Sequence, residues 1–469
     1  MITLLEIYIN DLSDYDSLLI YVRSDLVDDE VIRVLKEYVG LRANKVIVEF
    51  PYFDNEYLSN YYPHYSQKFK IFSKECCRLH FETATDYLGY ITLRPTPGET
   101  KMGKTFLYPG AFIHGRAYLM MTKFPAHVLG QKREIECFPW KKQENDISCC
   151  AHTATWTILK YFGNKYKNYL DTTIGEIVSR VRNDWGRKTP TMGLNPIQVS
   201  DIFKEYGFSP LIIGKNSSDY TVADELLAYV ESGLPVVAFL NMEPQNHAIS
   251  IIGHGEVDLS VLDNIPVDYK SGVILSTSLI KSVYAMDDRI FPYVEVSKGL
   301  PDSNSSVSYG LPQLDYAVVP LHFRMQLSYR DIYNRMIQWV KNGDLNFGYK
   351  PVCRIYLTSS NSLKKRAFEN KSMDGLLKEL LLTLPMPKFV WCIDFADTES
   401  YKNELTTCRI IIDSTSATLE EEPWIFRHDS NIIQYKDRSD TSQDYHQIEV
   451  KVAPYEMYKN NLDVIEGEA

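Results

Sequence analysis

Hydrophobic positions recur along this chain with two different periods, and the middle third is where one gives way to the other. Cys150 to Phe162 carries its apolar residues at helical spacing and predicts a helix closed by Gly163. Thr173–Val181, Leu194–Tyr206 and Thr221–Val230 keep that period, the last two with Gly207 and Gly233 just past their ends. Then the period shortens. Val236–Leu240, Ala248–Ile252, Val283–Met286 and Tyr316–Val319 are apolar runs of strand length. Helices first and strands afterwards predict an α+β domain over residues 136–325, with the helical part packed on an antiparallel sheet.

The flanks mix the two periods. In residues 1–135, Val46–Phe50 and Tyr87–Leu93 read as strands, Asp28–Tyr38 as a short helix, and Arg94–Gly98 as turn chemistry. In residues 326–469, Tyr329–Val340 and Asp374–Leu382 predict helices, and Val352–Leu357, Phe389–Ile393 and Arg409–Ile412 predict strands. The residues after Pro454 read as a frayed, acidic end, and Lys298–Pro312, with Asp302–Ser306 inside it, as an exposed loop. Both flanks are expected to be α+β accessory regions, and neither carries a motif with chemistry of its own.

Composition narrows the function classes. A chain of 469 residues is long enough for about two to four domains at ~100–200 residues each. Its formal net charge of −11 gives no general attraction to phosphate backbones, so nucleic acid is not the expected partner. No stretch approaches the ~18 consecutive apolar residues of a membrane span, and the first residues lack the pattern of a secretory signal. The eight cysteines are then expected to be reduced thiols in a cytoplasm. Cys76-Cys77-Arg78-Leu79-His80 lacks the paired spacings of a zinc site and is expected to be packing. The fully polar-to-helical junction further on is different.

Gln143-Glu144-Asn145-Asp146-Ile147-Ser148-Cys149-Cys150 is a polar loop that runs directly into the predicted helix. Unpaired N–H groups of a first helical turn favour a thiolate, so a cysteine there is a candidate nucleophile. A cysteine hydrolase also needs a base, a group that orients the base, and donors for the oxyanion. His247 opens a strand after the polar Glu243-Pro244-Gln245-Asn246. Asp287 and Asp288 close the next strand, and Gln143 precedes the thiols. His152, in the first helical turn, reads as a capping or surface residue, and His254 as a strand-end residue.

Five elements in order carry a resemblance. Cys150-Ala151-His152-Thr153-Ala154-Thr155-Trp156 through Tyr161-Phe162-Gly163 resembles the nucleophile helix of papain-like cysteine peptidases, most of all the bacteriocin-processing (double-glycine) branch. Gly193-Leu194-Asn195, Gly233-Leu234-Pro235-Val236-Val237, His247-Ala248-Ile249-Ser250-Ile251-Ile252-Gly253 and Val283-Tyr284-Ala285-Met286-Asp287 are similar to later elements of that family. The resemblance implies a papain-like core over about residues 136–325. It implies Cys150 as nucleophile, His247 as general base and acid, Asp287 as its orienting group, and Gln143 as oxyanion donor. Three departures keep alternatives open. A glutamine six residues before the cysteine, as in relatives, would select Cys149, whereas the helix register selects Cys150. Asp288 stands where the family often has proline, and Ala151 where it has glycine.

The expected function is therefore a cysteine peptidase or amide hydrolase acting on a protein or peptide, through an acyl-enzyme and with no metal or organic cofactor. The same scaffold supports a deamidase or transglutaminase-like acyl transferase. A third alternative, from another class, is a catalytically inactive protein-binding module.

Overall fold

A pair of buried hydroxyls fixes how the middle of the chain is assembled. Thr157 Oγ1 and Ser250 Oγ lie 2.7 Å apart, and the Ser250 hydroxyl donates to the Ala154 carbonyl at 2.9 Å. Both are sealed from water, where a polar group must find a partner. Their pairing seats the helix Cys150–Lys165 on the strand His247–His254. Cys150 lies one helical turn before Ala154 and His247 three residues before Ser250, so one anchor sets the spacing of both.

The computed structural model describes the chain apart from residues 1–2, 97, 129, 183–187, 216–221, 243–245, 268–271, 302–306, 344–346, 348–349, 417–422, 438–444, 460 and 468–469. The expected turn at Glu243–Gln245 and the Asp302–Ser306 segment lie outside the described residues, as does Pro97 of the Arg94–Gly98 turn.

The architecture is α+β. The central sheet runs Val294–Ser297, Ser282–Met286, His247–His254, Val236–Leu240, Leu314–Val319, Leu211–Gly214, all antiparallel. Its helices are Cys150–Lys165, Ile174–Arg180, Pro196–Glu205 and Val222–Glu231. The N-terminal sheet is an antiparallel meander of Thr3–Tyr8, Lys45–Tyr52, Cys76–Glu82, Tyr87–Leu93 and Met102–Leu107. The C-terminal sheet is built on Val352–Ser359, Phe389–Ala396, Cys408–Asp413 and Trp424–His428, and Ser360–Glu369 and Gly375–Thr383 bury leucines in a core beneath it. No helix among the described residues is long and apolar enough to cross a membrane.

Three expectations are corrected. The site helix does not stop at Gly163 but runs to Lys165. A Cβ at position 163 would sit 2.8 Å from the Leu170 carbonyl oxygen and 2.9 Å from Asp171 Cα, so this glycine admits a neighbouring backbone rather than ending the helix. The Asp28–Tyr38 helix is two pieces, Asp29–Val34 and a π-turn over Leu35–Val39. The end of the chain is not frayed. Tyr455, Leu462 and Ile465 are buried, and Asp463–Glu466 is a strand that pairs with Arg116–Leu119, which pairs in turn with the His247 strand at Gly253 and His254. Single apolar residues among acids show no period, and only the partner strand gives them one.

Both flanks thus contribute strands to the sheet that carries His247. The C-terminal sheet is also tied to it by a buried ion pair, Arg354 to Glu231 at 3.1 Å, and Glu231 lies 2.5 Å from His254 Nε2. His254, at the strand end, stacks on Tyr118 of the N-terminal flank with ring centroids 4.8 Å apart. Cys76, Cys77 and His80 are buried in a strand, where the His80 ring pairs with the Tyr87 hydroxyl at 2.8 Å.

Candidate active site

The loop before the helix is a closed turn. Ile147 and Ser148 N–H both donate to the Glu144 carbonyl at 2.8 Å, and Glu144 N–H donates to the Ser148 hydroxyl at 3.1 Å. The chain leaves it extended at Cys149, the N-cap residue, and Cys150 is the first residue of the helix. His152 folds back over this start: Cys149 N–H donates to its Nδ1 at 3.4 Å, and Cys149 Sγ is 3.2 Å from the same atom. His152 is therefore a buried cap.

The two thiols behave as one unit. The Cys150 S–H and the first-turn N–H groups of His152 and Ala151 hold the Cys149 thiol down to about 7 against its burial. The same contact with Cys149, together with burial, pushes Cys150 up to about 12, while His247 pulls it the other way. The pair thus holds one proton loosely and the other tightly, as two coupled thiols do.

Across from the helix start stands His247. Its Nε2 bonds Asp287 Oδ1 at 2.8 Å, and the ring is 1% exposed. Burial alone would lower its pKa. The Asp287 carboxylate and the Cys150 sulfur reverse that and raise it to about 10, which favours the imidazolium. Nδ1, the other ring nitrogen, is buried and has no hydrogen-bond partner among the described residues. Sheet register explains the Asp287 contact: Ser250 is paired with Met286, so the next residue, Asp287, falls back toward His247.

Asp287 is fully engaged. Besides His247 it accepts from Arg289 N–H at 2.8 Å and from the Tyr309 hydroxyl, and its carbonyl accepts from Trp140 Nε1 at 2.7 Å. Despite burial its pKa is lowered by His247 and these donors. Asp288 is the opposite. It is 3% exposed, neither carboxylate oxygen has a hydrogen-bond partner, and Oδ1 lies 4.0 Å from His247 Nε2. Burial, then the neighbouring Asp287 charge, raises it to about 8, which favours its neutral form.

An open cleft of about 1000 Å³ lies over these groups, lined among others by Gln143, Cys149, Cys150, Met192, Gly193 and His247. Gly193 has φ +96°, and a Cβ there would approach Cys149 Sγ to 3.9 Å, so a glycine keeps this wall low over the thiols. Gln143 thus shares a cleft with both thiols and His247. Among the described residues, one group of potential metal ligands lies together, His247, Asp287 and Asp288, with ligand atoms within 4.8 Å of one another. His247 Nε2 and both Asp287 oxygens are already hydrogen-bonded, and a cation there would have to displace those bonds.

Sequence reasoning did not find Tyr309, the Ser250–Thr157 anchor, or the buried Arg94–Glu144 pair behind the Gln143 loop. Each joins segments far apart in the chain, and none belongs to a local period.

Residues 135–273 match the model of the Peptidase_C39 like family. This agrees with the resemblance to the bacteriocin-processing branch of papain-like cysteine peptidases, over that part of the chain. At family level the match points to a cysteine peptidase. It takes in both thiols and His247 and ends before Asp287. No curated protein matches the chain.

Proposed function

We propose that residues 136–325 form a papain-like cysteine peptidase core whose nucleophile is Cys150, with His247 as general base and acid and Asp287 as the residue that orients it. The observation that carries this reading is the imidazole of His247, bonded to the Asp287 carboxylate at 2.8 Å and lining one cleft with Cys150. In the proposed reaction the proton retained by the thiol pair passes to Cys149, and the Cys150 thiolate adds to a peptide carbonyl. The oxyanion that forms is held by first-turn N–H groups and the Gln143 amide. The His247 imidazolium passes its proton to the departing amine, leaving a thioester. Neutral His247 then takes a proton from water as it attacks the thioester, and the acid product and thiol are released. Asp287 keeps the imidazolium stable throughout without taking its proton.

The eight described cysteines are all unpaired, which supports a reducing compartment such as the cytoplasm. A test uses a peptide mixture incubated with the full chain and read by mass. New N-termini that vanish in Cys150→Ala are the expected result. A +1 Da shift on intact peptides would mean deamidation. A new peptide–amine adduct would mean acyl transfer. Identical spectra for wild type and Cys150→Ala would overturn the hydrolase reading.

A further inference from the structure

We propose that Arg94 and Glu56, both in the N-terminal flank and outside the stretch that matches the peptidase family, are positioning residues that clamp the Gln143 loop to the Cys150 helix, making that flank an obligatory part of the active site. The clamp stands on geometry, and only the role of Gln143 rests on the hydrolase reading.

Arg94 is 1% exposed and directs every guanidinium nitrogen at an acceptor. Nε donates to the Thr100 carbonyl at 2.8 Å and Nη1 to Glu144 Oε1 at 2.8 Å. Nη2 donates to the carbonyls of Lys142 at 2.8 Å and Gln143 at 3.2 Å. Three of the four bonds end on the loop itself, two on the backbone of Gln143 and its neighbour. Glu144 turns away from the cleft to meet Arg94, and it also accepts from Asn60 at 3.2 Å and Tyr65 at 3.0 Å, both from the flank. Its pKa is lowered although it is buried, because Arg94 and Lys141 outweigh desolvation.

Glu56 carries the connection onward. Its Oε1 lies 3.2 Å from Lys141 Nζ and accepts from Ile174 N–H at 2.8 Å, and its Oε2 accepts from the Trp156 indole at 3.0 Å. Trp156 sits in the site helix, fully buried. A continuous buried path therefore runs from the Gln143 carbonyl through Arg94, Glu144, Lys141 and Glu56 to the helix that starts at Cys150. Two cations and two carboxylates balance, and each has its hydrogen bonds, the condition under which buried charge is tolerated.

The placement matters because an oxyanion donor works only when held within about 0.5 Å of its productive position. Gln143 lies just before the Glu144–Ser148 turn, in no helix or strand. Its loop meets the flank's sheet through Lys142 N–H to the Met102 carbonyl at 3.2 Å and through Arg94. A planar, forked guanidinium satisfies these divergent acceptors at once, whereas an ammonium at the end of a lysine cannot.

Arg94→Lys in the full chain is the test, because it keeps the charge opposite Glu144 and loses the fork. The expected result is a fall in kcat of about 10–100-fold with KM within about 3-fold. Iodoacetamide should alkylate the Cys149–Cys150 pair at an unchanged rate. Amide exchange over residues 141–148 should accelerate at least about 10-fold, while Cys150–Lys165 stays protected. Adding Arg94→Lys to Gln143→Ala should cost less than about 3-fold more in kcat, since both act through one group. If Arg94→Lys fails to fold, the neutral pair Arg94→Gln/Glu144→Gln takes the same readouts. Wild-type exchange and kcat in the substituted chain, or losses that multiply with Gln143→Ala, would overturn the clamp. Should the wild type cleave no peptide, the hydrolase reading fails and loop exchange alone decides the clamp.

Discussion

Two thiol–imidazole pairs stand side by side in this molecule, and they are electrostatic opposites. Cys149 meets His152 within one helical turn, and Cys150 meets His247 across the interface between helix and sheet. Both rings are equally hidden, at 2% and 1% exposure. Burial drives His152 down to about 4, whereas His247 rises to about 10. The carboxylate makes the difference, because Asp287 backs His247 and, among the described residues, no carboxylate backs His152. A neutral imidazole can steady a thiolate but has no proton to give a leaving amine, and an imidazolium does both. The lower thiol pKa belongs to Cys149, yet the ring with a proton to give is His247.

The sharpest way to break this comparison is to remove each sulfur. Cys150→Ala is expected to lower kcat by at least ~10³-fold, and Cys149→Ala by less than about 10-fold, measured on the same peptide. Comparable losses would mean the pair is not divided as described. Next come the rings: His247→Ala should cost about 10²–10⁴-fold in kcat and His152→Ala less than about 5-fold with some loss of stability. Asp287→Asn tests the cause of the asymmetry. The folded pKa of His247 is raised, so the imidazolium's contribution is complete below ~6.5 and is lost as pH rises through about 10. Without the carboxylate, the alkaline limb of kcat should move down from about 10 toward ~6.5, with a fall of about 10²-fold at pH 8.

Much of this was legible in the residues and some could not have been. A helix starting at Cys150, a strand opening at His247 and an aspartate at the end of the next strand follow from local apolar runs and their breaks. The choice between Asp287 and Asp288 does not. It is made by Tyr309, by the Arg289 N–H and by the register with Ser250, which give Asp287 its partners and leave Asp288 with none. Arg94, followed by Pro95, read as turn chemistry because its partner Glu144 lies 50 residues away. The strand Asp463–Glu466 was hidden for the same reason, since its pairing partner begins at Arg116.

The smallest effect concerns stability. Asp288 has a folded pKa raised from 3.8 to about 8, so its neutral form suits the fold below ~4 and its presence costs stability as pH climbs toward 8. Asp288→Asn should therefore stabilise the chain at pH 7 by on the order of 2–4 kcal/mol and make no difference below pH 4. Urea unfolding at the two pH values measures it. Equal shifts at both would show that the acid is charged in the fold.

The central claim is that His247 activates Cys150 rather than its neighbour. It is tested most directly by treating the full chain with a peptidyl chloromethylketone at neutral pH and mapping the adduct by mass. One equivalent on Cys150, strongly slowed in His247→Ala and untouched in His152→Ala, is the predicted result. Labelling confined to Cys149, or labelling of Cys150 at the same rate without His247, would contradict it.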